Sequence, residues 1–332
     1  MANASGRRFS LLRDDSLIVA SSEGAMSAVS TWLPLQAVER MVDPDHEPRA
    51  LIVVEHAAAD PREPSDAAPP LLYFAGVRAH VERDGAIVFR GDAAAQGRIA
   101  LDHRRARLVL SDAPQSDDER ARAESELYSM LTLSAALLIG RMGRALVHAG
   151  AVVDPDGAAW LLVGDTHAGK TTTCVSLVDA GWRYLADDQV VLGFDDRDGV
   201  VVEGWPRHAH LDEGWSTSEV TGARATVDLR ERWGARWVRS APLGGMLFPS
   251  VLADRPTGAS RVHSATAFAG IVRQSPWLLA DGGAAQPVME LLRRAAERPA
   301  FALSLGRDSY ARGELLASRL LAARPEAVSP ER

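Results

Sequence analysis

The chain has 332 residues, 46% of them hydrophobic, which is enough to bury a core in about two domains. A formal net charge of −7 argues against a general nucleic-acid binder, which needs a basic face to match phosphate charge. A single cysteine, Cys174, excludes an internal disulfide framework and fits a reducing compartment, so a cytoplasmic location is expected.

In chain order, the first fifteen residues lack the apolar stretch of a signal peptide. Short β-like runs follow at 51–57, 71–76, 86–91 and 105–111, separated by Pro-, Gly- and Asp-rich turns, and they predict a small β-rich or α+β domain over residues 1–115. PREPSDAAPP at 61–70 is too proline-dense for a regular element and reads as an exposed loop. Arg104, Arg105 and Arg107 read as solvated strand or turn positions. From Asp117 the pattern predicts a helix that begins solvated and ends buried, and the domain boundary is placed just before it, giving a second domain over 116–326. The apolar run at 130–140 in that helix falls far short of the ~20 residues of a membrane span, and no membrane association is expected.

Two apolar runs, 145–153 and 158–164, joined by Asp154, Pro155, Asp156 and Gly157, predict strand, turn, strand. TTTCVSLVDAG then reads as a helix with Cys174, Leu177 and Val178 on one face and Gly181 placed to end it. A strand is predicted over 183–194, paired with 200–205 across DDRDG. Asp196, Asp198 and Gly199 echo a calcium loop, but the later glutamate ligand is missing and a hairpin turn is the expectation. Near the C-terminus VMELLRRAAER and ARGELLASRLLAAR have the spacing of amphipathic helices that cover a sheet.

The most specific signal lies between a buried strand and a helix. Gly164, Gly169, Lys170 and Thr171 satisfy G-x-x-x-x-G-K-[ST], the phosphate-binding P-loop. In such a loop glycines let backbone N–H groups turn inward around an anion, the helix N-terminus adds partial positive charge, and the hydroxyl of Thr171 can serve a magnesium ion. Residues Gly164, Asp165, Thr166, His167, Ala168, Gly169, Lys170, Thr171 and Thr172 are therefore the candidate contacts to nucleotide phosphates. Lys170 is the only lysine; the other 36 basic residues are arginines. A compact ammonium on a flexible stem can reach between two phosphates inside a tight loop where a planar guanidinium cannot.

Asp187 and Asp188 lie seventeen and eighteen residues past Lys170, where the crossover helix can return a carboxylate to the loop. Adjacent residues of a regular strand face opposite ways, so either the strand twists or starts there, or only one of the pair enters the site. His148, inside an apolar run, is either a satisfied core histidine or a member of the same site.

LVHAG, GDTHAGKT and GWRYLADDQVVL resemble, in order and approximate spacing, the catalytic core of bacterial HPr kinase/phosphorylase and the looser group of HPr-kinase-like proteins, over residues 145–194. WPRHAHL, PLGGMLFPS and RPAFALSLGRD resemble the later blocks of divergent members, less specifically. The resemblance implies an α/β fold with a P-loop kinase core of the HPr-kinase/PEP-carboxykinase type, a mixed sheet with flanking helices, beside the smaller N-terminal domain. It implies that His148 supports Asp187, that Asp187 acts as base towards a serine hydroxyl, and that Asp188 joins Thr171 at magnesium. The chain departs from the family in carrying Thr166 and His167 where Ser-Gly is usual. It also lacks the E-[VI]-R-G-[LI]-G segment, for which Glu203, Gly204 and Arg207 are a poor substitute. HPr is therefore not the expected acceptor.

The expected activity is ATP- and Mg2+-dependent transfer of a γ-phosphoryl group to a hydroxyl of a protein or peptide. Divergent members resemble kinases of lasso-type precursor peptides, so a ribosomally made precursor peptide is a candidate partner. Arg207 is a candidate for stabilising transferred charge. Family members form hexamers, which makes a homo-oligomer an expectation. Two other readings stay open: a PEP-carboxykinase-like enzyme of a small acid, disfavoured by the lack of a second lysine, and an ATP-binding regulator without catalysis.

Overall fold

The structure is a computed structural model that describes residues 7–33, 46–57, 70–93, 95–111, 116–207, 209–212, 224–227, 233–309 and 312–322. The proline-dense stretch at 61–69 lies outside them. The fold is α/β, with two mixed sheets, a separate two-stranded ribbon and six helices among the described residues. It divides into two compact units: residues 1–146 with 205–207 and 276–289, and residues 147–204 with 208–275 and 290–332.

The first unit is built on eight strands: β1 (Arg7–Ser10), β2 (Leu17–Ser21), β3 (Ala50–His56), β4 (Leu72–Phe74), β5 (Val77–Val81), β6 (Ile87–Gly91), β7 (Ala95–Ala100) and β8 (Arg105–Leu110), in the spatial order β1-β2-β3-β8-β7-β6-β5-β4. The pairs β2–β3 and β3–β8 are parallel, and the others are antiparallel. Helix α1 (Glu23–Trp32) makes the crossover between β2 and β3, and the Ser22 side chain caps it by accepting from Ala25 N.

Helix α2 (Asp117–Gly140) begins on Ser116, whose side chain accepts from Glu119 N, and carries three acidic residues in its first turn, where they complement the helix dipole. Every residue from Glu126 to Gly140 is buried. This helix lies against β3, β7 and β8 and groups with the first unit. The physical reason is that its apolar second half covers the first sheet, a destination that periodicity alone does not reveal.

The second unit centres on β17 (Ser240–Val251), which pairs in parallel with β11 (Ala159–Val163) and β19 (Ala300–Leu305) and antiparallel with β14 (Val200–Gly204). β10 (Ala149–Val153) joins β11, and β12 (Arg183–Ala186) joins β10, both antiparallel. β13 (Val190–Phe194) forms the expected hairpin with β14, and β18 (Gly258–Arg261) edges β19; β9 (Ala145–Val147) spans the chain position where the first unit ends and the second begins. The hairpin turn is tied by the Asp195 carboxylate, which accepts from Arg197 N and Gly199 N, so the calcium-like aspartates belong to a turn. A small ribbon, β15 (Ala209–Asp212) with β16 (Arg224–Val227), completes the strands.

Helix α3 (Lys170–Asp179) and the C-terminal α6 (Gly313–Ala322) share a core with this sheet. Alternate sheet residues, Trp160 and Leu162 on β11 and Phe301, Leu303 and Leu305 on β19, meet Cys174, Leu177 and Val178 of α3 and Leu316 and Leu320 of α6. Leu161 and Val163 are buried as well, as expected of a sheet covered on both faces. The remaining helices are α4 (Ser264–Arg273) and α5 (Gly282–Ala296). α3 and α6 approach so closely that a Cβ at Gly313 would lie 1.7 Å from the carbonyl oxygen of Ser176. Gly313→Ala is therefore expected to lower the melting temperature by roughly 2–12 °C, the range for an overpacked core contact, which a thermal melt by circular dichroism checks.

Candidate phosphate-binding site

β11 ends at Val163, and residues 164–169 lead directly into α3, so the glycine-rich loop sits at the junction of a buried strand and a helix N-terminus. Gly169, the residue before the helix, has φ +96° in the left-handed region, and a Cβ there would come within 2.7 Å of Leu305. Both the backbone angle and the close approach demand glycine. Ala168 N donates to Asp165 O at 3.1 Å and closes the turn. The first N–H groups of α3, on Lys170, Thr171 and Thr172, have no intrahelical acceptor, as in any helix.

Lys170 is 7% exposed, and its Nζ donates to Gly164 O at 2.9 Å and Asp165 O at 3.0 Å. Burial pushes its pKa below the usual ammonium range, and the charges of Asp187 and Asp165 oppose that shift. The ammonium thus lies inside the curl of the loop. His167 is exposed and has φ +67°, so the imidazole stands at a position whose backbone favours glycine. Thr166 and Asp165 are exposed too, while Gly164, Ala168, Thr171 and Thr172 are half-buried.

The expected single strand over 183–194 is two strands, with Asp187, Asp188 and Gln189 in the break between β12 and β13. A matching break at His148 separates β9 from β10. A Cβ at Gly150 would lie 2.6 Å from Asp187 O, so the two segments approach backbone to backbone. The break resolves the facing problem posed by two adjacent carboxylates in a regular strand. Asp187 is 7% exposed, and its charge acts on Lys170 and on Cys174 of α3. Asp188 is half-buried, with Oδ1 3.1 Å from His148 Nε2.

The resemblance implied that His148 supports Asp187, and the imidazole lies beside Asp188.

Two members of the arrangement carry no sequence signal. Gln274, just past the end of α4, is 5% exposed; its carbonyl accepts from His148 N at 2.9 Å and its Nε2 donates to Asp165 Oδ1 at 2.9 Å. It ties the histidine's backbone to the loop. Arg273 approaches the same carboxylate at 3.6 Å, but both partners are largely exposed and the pair contributes little. A lone glutamine in a polar stretch looks like any surface residue until the fold places it.

No family model matches the chain, and no curated protein matches it. Among solved structures the chain is similar to the HPr(Ser) kinase/phosphatase from Coxiella burnetii, with 12% identity and a TM-score of 0.31, over 53% of this chain and 94% of that one. No described helix is long and apolar enough to cross a membrane. Arg207, expected near transferred charge, groups with the first unit, where its guanidinium lies 5.4 Å from the centroid of the Tyr128 ring.

Proposed function

We propose that the second unit binds the terminal phosphates of ATP on residues 164–172 and promotes transfer of the γ-phosphoryl group to a hydroxyl of a protein or peptide. The observation that carries this reading is the buried ammonium of Lys170 within a glycine-rich loop at a helix N-terminus, beside a strand break that supplies two carboxylates. That combination places fixed positive charge where phosphate charge is to be met and an acidic group next to it, which is most of what phosphoryl transfer asks of a protein.

The residues fit a nucleotide with magnesium. The first-turn N–H groups of α3 and Lys170 Nζ supply donors, and Thr171 and one of the two aspartates supply oxygens. Among the described residues no group of three or more His, Cys, Asp or Glu side chains forms a protein-only metal centre. Magnesium held with nucleotide phosphates needs only one or two protein oxygens. When bound, it would offset charge on the phosphate oxygens.

In the first assignment Asp187 takes the proton of the acceptor hydroxyl, and Asp188 faces the metal with Thr171. The contact between His148 and Asp188 favours a second assignment with the roles exchanged: Asp188, oriented by the imidazole, takes the proton, and Asp187, buried and with its charge acting on Lys170, faces the metal. The serine-bearing acceptor, a ribosomally made precursor peptide for instance, and assembly as a homo-oligomer are part of the proposal.

The test is transfer of label from γ-labelled ATP to serine-bearing peptides encoded by neighbouring genes, alongside calorimetry with Mg·ATP. Label on a peptide hydroxyl supports the kinase. Tight binding without turnover supports a regulator, and no heat of binding ends the proposal. Gln274→Ala, which frees the Asp165 carboxylate, is expected to weaken Mg·ATP binding about fivefold, because it removes one hydrogen bond to a charged but solvent-exposed group. Titration calorimetry of the variant reads this directly.

A further inference from the structure

The second unit carries a cleft of about 650 Å³ apart from the glycine-rich loop, lined by Arg261, His263 and Ser264 on one side and Arg298, Pro299 and Ala300 on the other. Its place follows from the strands. β18 runs antiparallel to β19 with Arg261 opposite Phe301, so Arg261 arrives where β19 begins, just after Arg298. The loop lies at the other end of β19, where Leu305 packs against Gly169. Ala300 and Leu305 are five residues apart, roughly 17 Å of extended strand.

Several arginines elsewhere among the described residues are matched with carboxylates: Arg141 with Asp281, Arg144 with Asp14, Arg98 with Glu82 and Asp84, and Arg107 with Glu55. Arg261 and Arg298 are exposed and have no side-chain partner among the described residues. The one acid on the rim, Glu297, is engaged by Arg293 and Arg294. His263 precedes α4 without making a side-chain cap. In a protein of net charge −7, two arginines without a carboxylate partner and a histidine thus line one concavity. With Glu297 engaged elsewhere, the free charge along the cleft is positive and attracts the opposite sign, and the guanidinium fork suits a carboxylate.

The volume far exceeds that of a single oxyanion, and part of the wall is apolar, from Ala296, Pro299 and Ala300. A stretch of polypeptide answers to both features, with carboxylates against the guanidiniums and methylene stems against the apolar wall. We propose that this cleft binds an acidic peptide segment, with Arg261 and Arg298 each receiving a carboxylate. The inference rests on the function proposed above only in naming a substrate class: an acceptor whose acidic residues lie five or more positions from its serine, the reach of the strand that separates cleft from loop. The binding itself is independent of transfer.

The experiment measures fluorescence anisotropy of a fluorescein-labelled hexaglutamate peptide with the full-length chain at low salt, with hexaglutamine as control. Saturable binding of the acidic peptide alone is expected, weakened at least about tenfold in the double variant Arg261→Glu, Arg298→Glu and unchanged in Lys170→Ala. Both arginines are exposed, and a melting curve equal to wild type certifies the double variant. No binding, equal binding of hexaglutamine, or undiminished binding by the double variant overturns the proposal. Displacement of the peptide by inorganic phosphate at the peptide's own concentration overturns it too, because the cleft would then be a small-anion site. Peptide binding that survives in a protein with no phosphotransfer leaves the cleft standing while the kinase reading falls.

Discussion

Asp187→Asn is expected to reduce phosphoryl transfer by about 10²–10⁴-fold, the usual contribution of a positioned general base, while Mg·ATP affinity stays within about threefold of wild type. Asparagine is nearly isosteric, so the close contact of the 187 backbone with Gly150 survives, and only the proton acceptor is lost. Asp188→Asn is the necessary companion. If Asp187 is the base, the 188 variant needs more magnesium for half-maximal rate. If the contact of His148 with Asp188 marks the base, the two profiles exchange: the 188 variant loses turnover at every magnesium concentration and the 187 variant is rescued by magnesium. Transfer at the wild-type rate in both variants would remove the carboxylates from the chemistry.

Lys170→Arg is expected to weaken Mg·ATP binding by at least about 10²-fold, although charge is conserved, since the charge-assisted hydrogen bonds that the ammonium would make to two phosphates are at stake. The ammonium fits between the carbonyl oxygens of residues 164 and 165 because it is a compact donor on a flexible stem. A guanidinium is planar and broader, and the loop is bounded by Leu305 and Val251 beside Gly169. Calorimetry measures the loss, and a circular dichroism melt confirms that the variant is folded. Wild-type affinity in the arginine variant would mean that charge alone suffices and that the solitary lysine has no special part.

Much of the second unit was legible because its signals are local. The runs at 145–153 and 158–164, the glycine-rich junction, the α3 pattern and the 195–199 hairpin turn combine apolar periodicity with punctuation by Gly, Pro and Asp, and they appear where the residues predict them. The breaks at His148 and at 187–189 were not legible, because an apolar run gives no sign of where backbone pairing stops; that depends on which strands lie alongside. β17 escaped as well. Its interior Gly244, Gly245 and Pro249 are poor strand formers, yet Gly245 is required because a Cβ there would lie 2.5 Å from the Trp160 ring. In the first unit, β1, α1, β5 and β7 are short and mixed in composition, and only their neighbours in the sheet give them form. His167 illustrates the reverse case: its departure from Gly was visible in the residues, and the backbone angle at that position gives the departure a physical meaning.

Because Lys170 already donates to two oxygens of its own chain, capture of an anion by this loop is an exchange, with hydrogen bonds surrendered before others are gained. Monovalent ions such as chloride offer too little to displace those carbonyls, whereas a polyphosphate tail offers several charged oxygens at once. On the proposed function the loop would thereby filter for highly charged guests, its selectivity residing in what the ammonium must first let go.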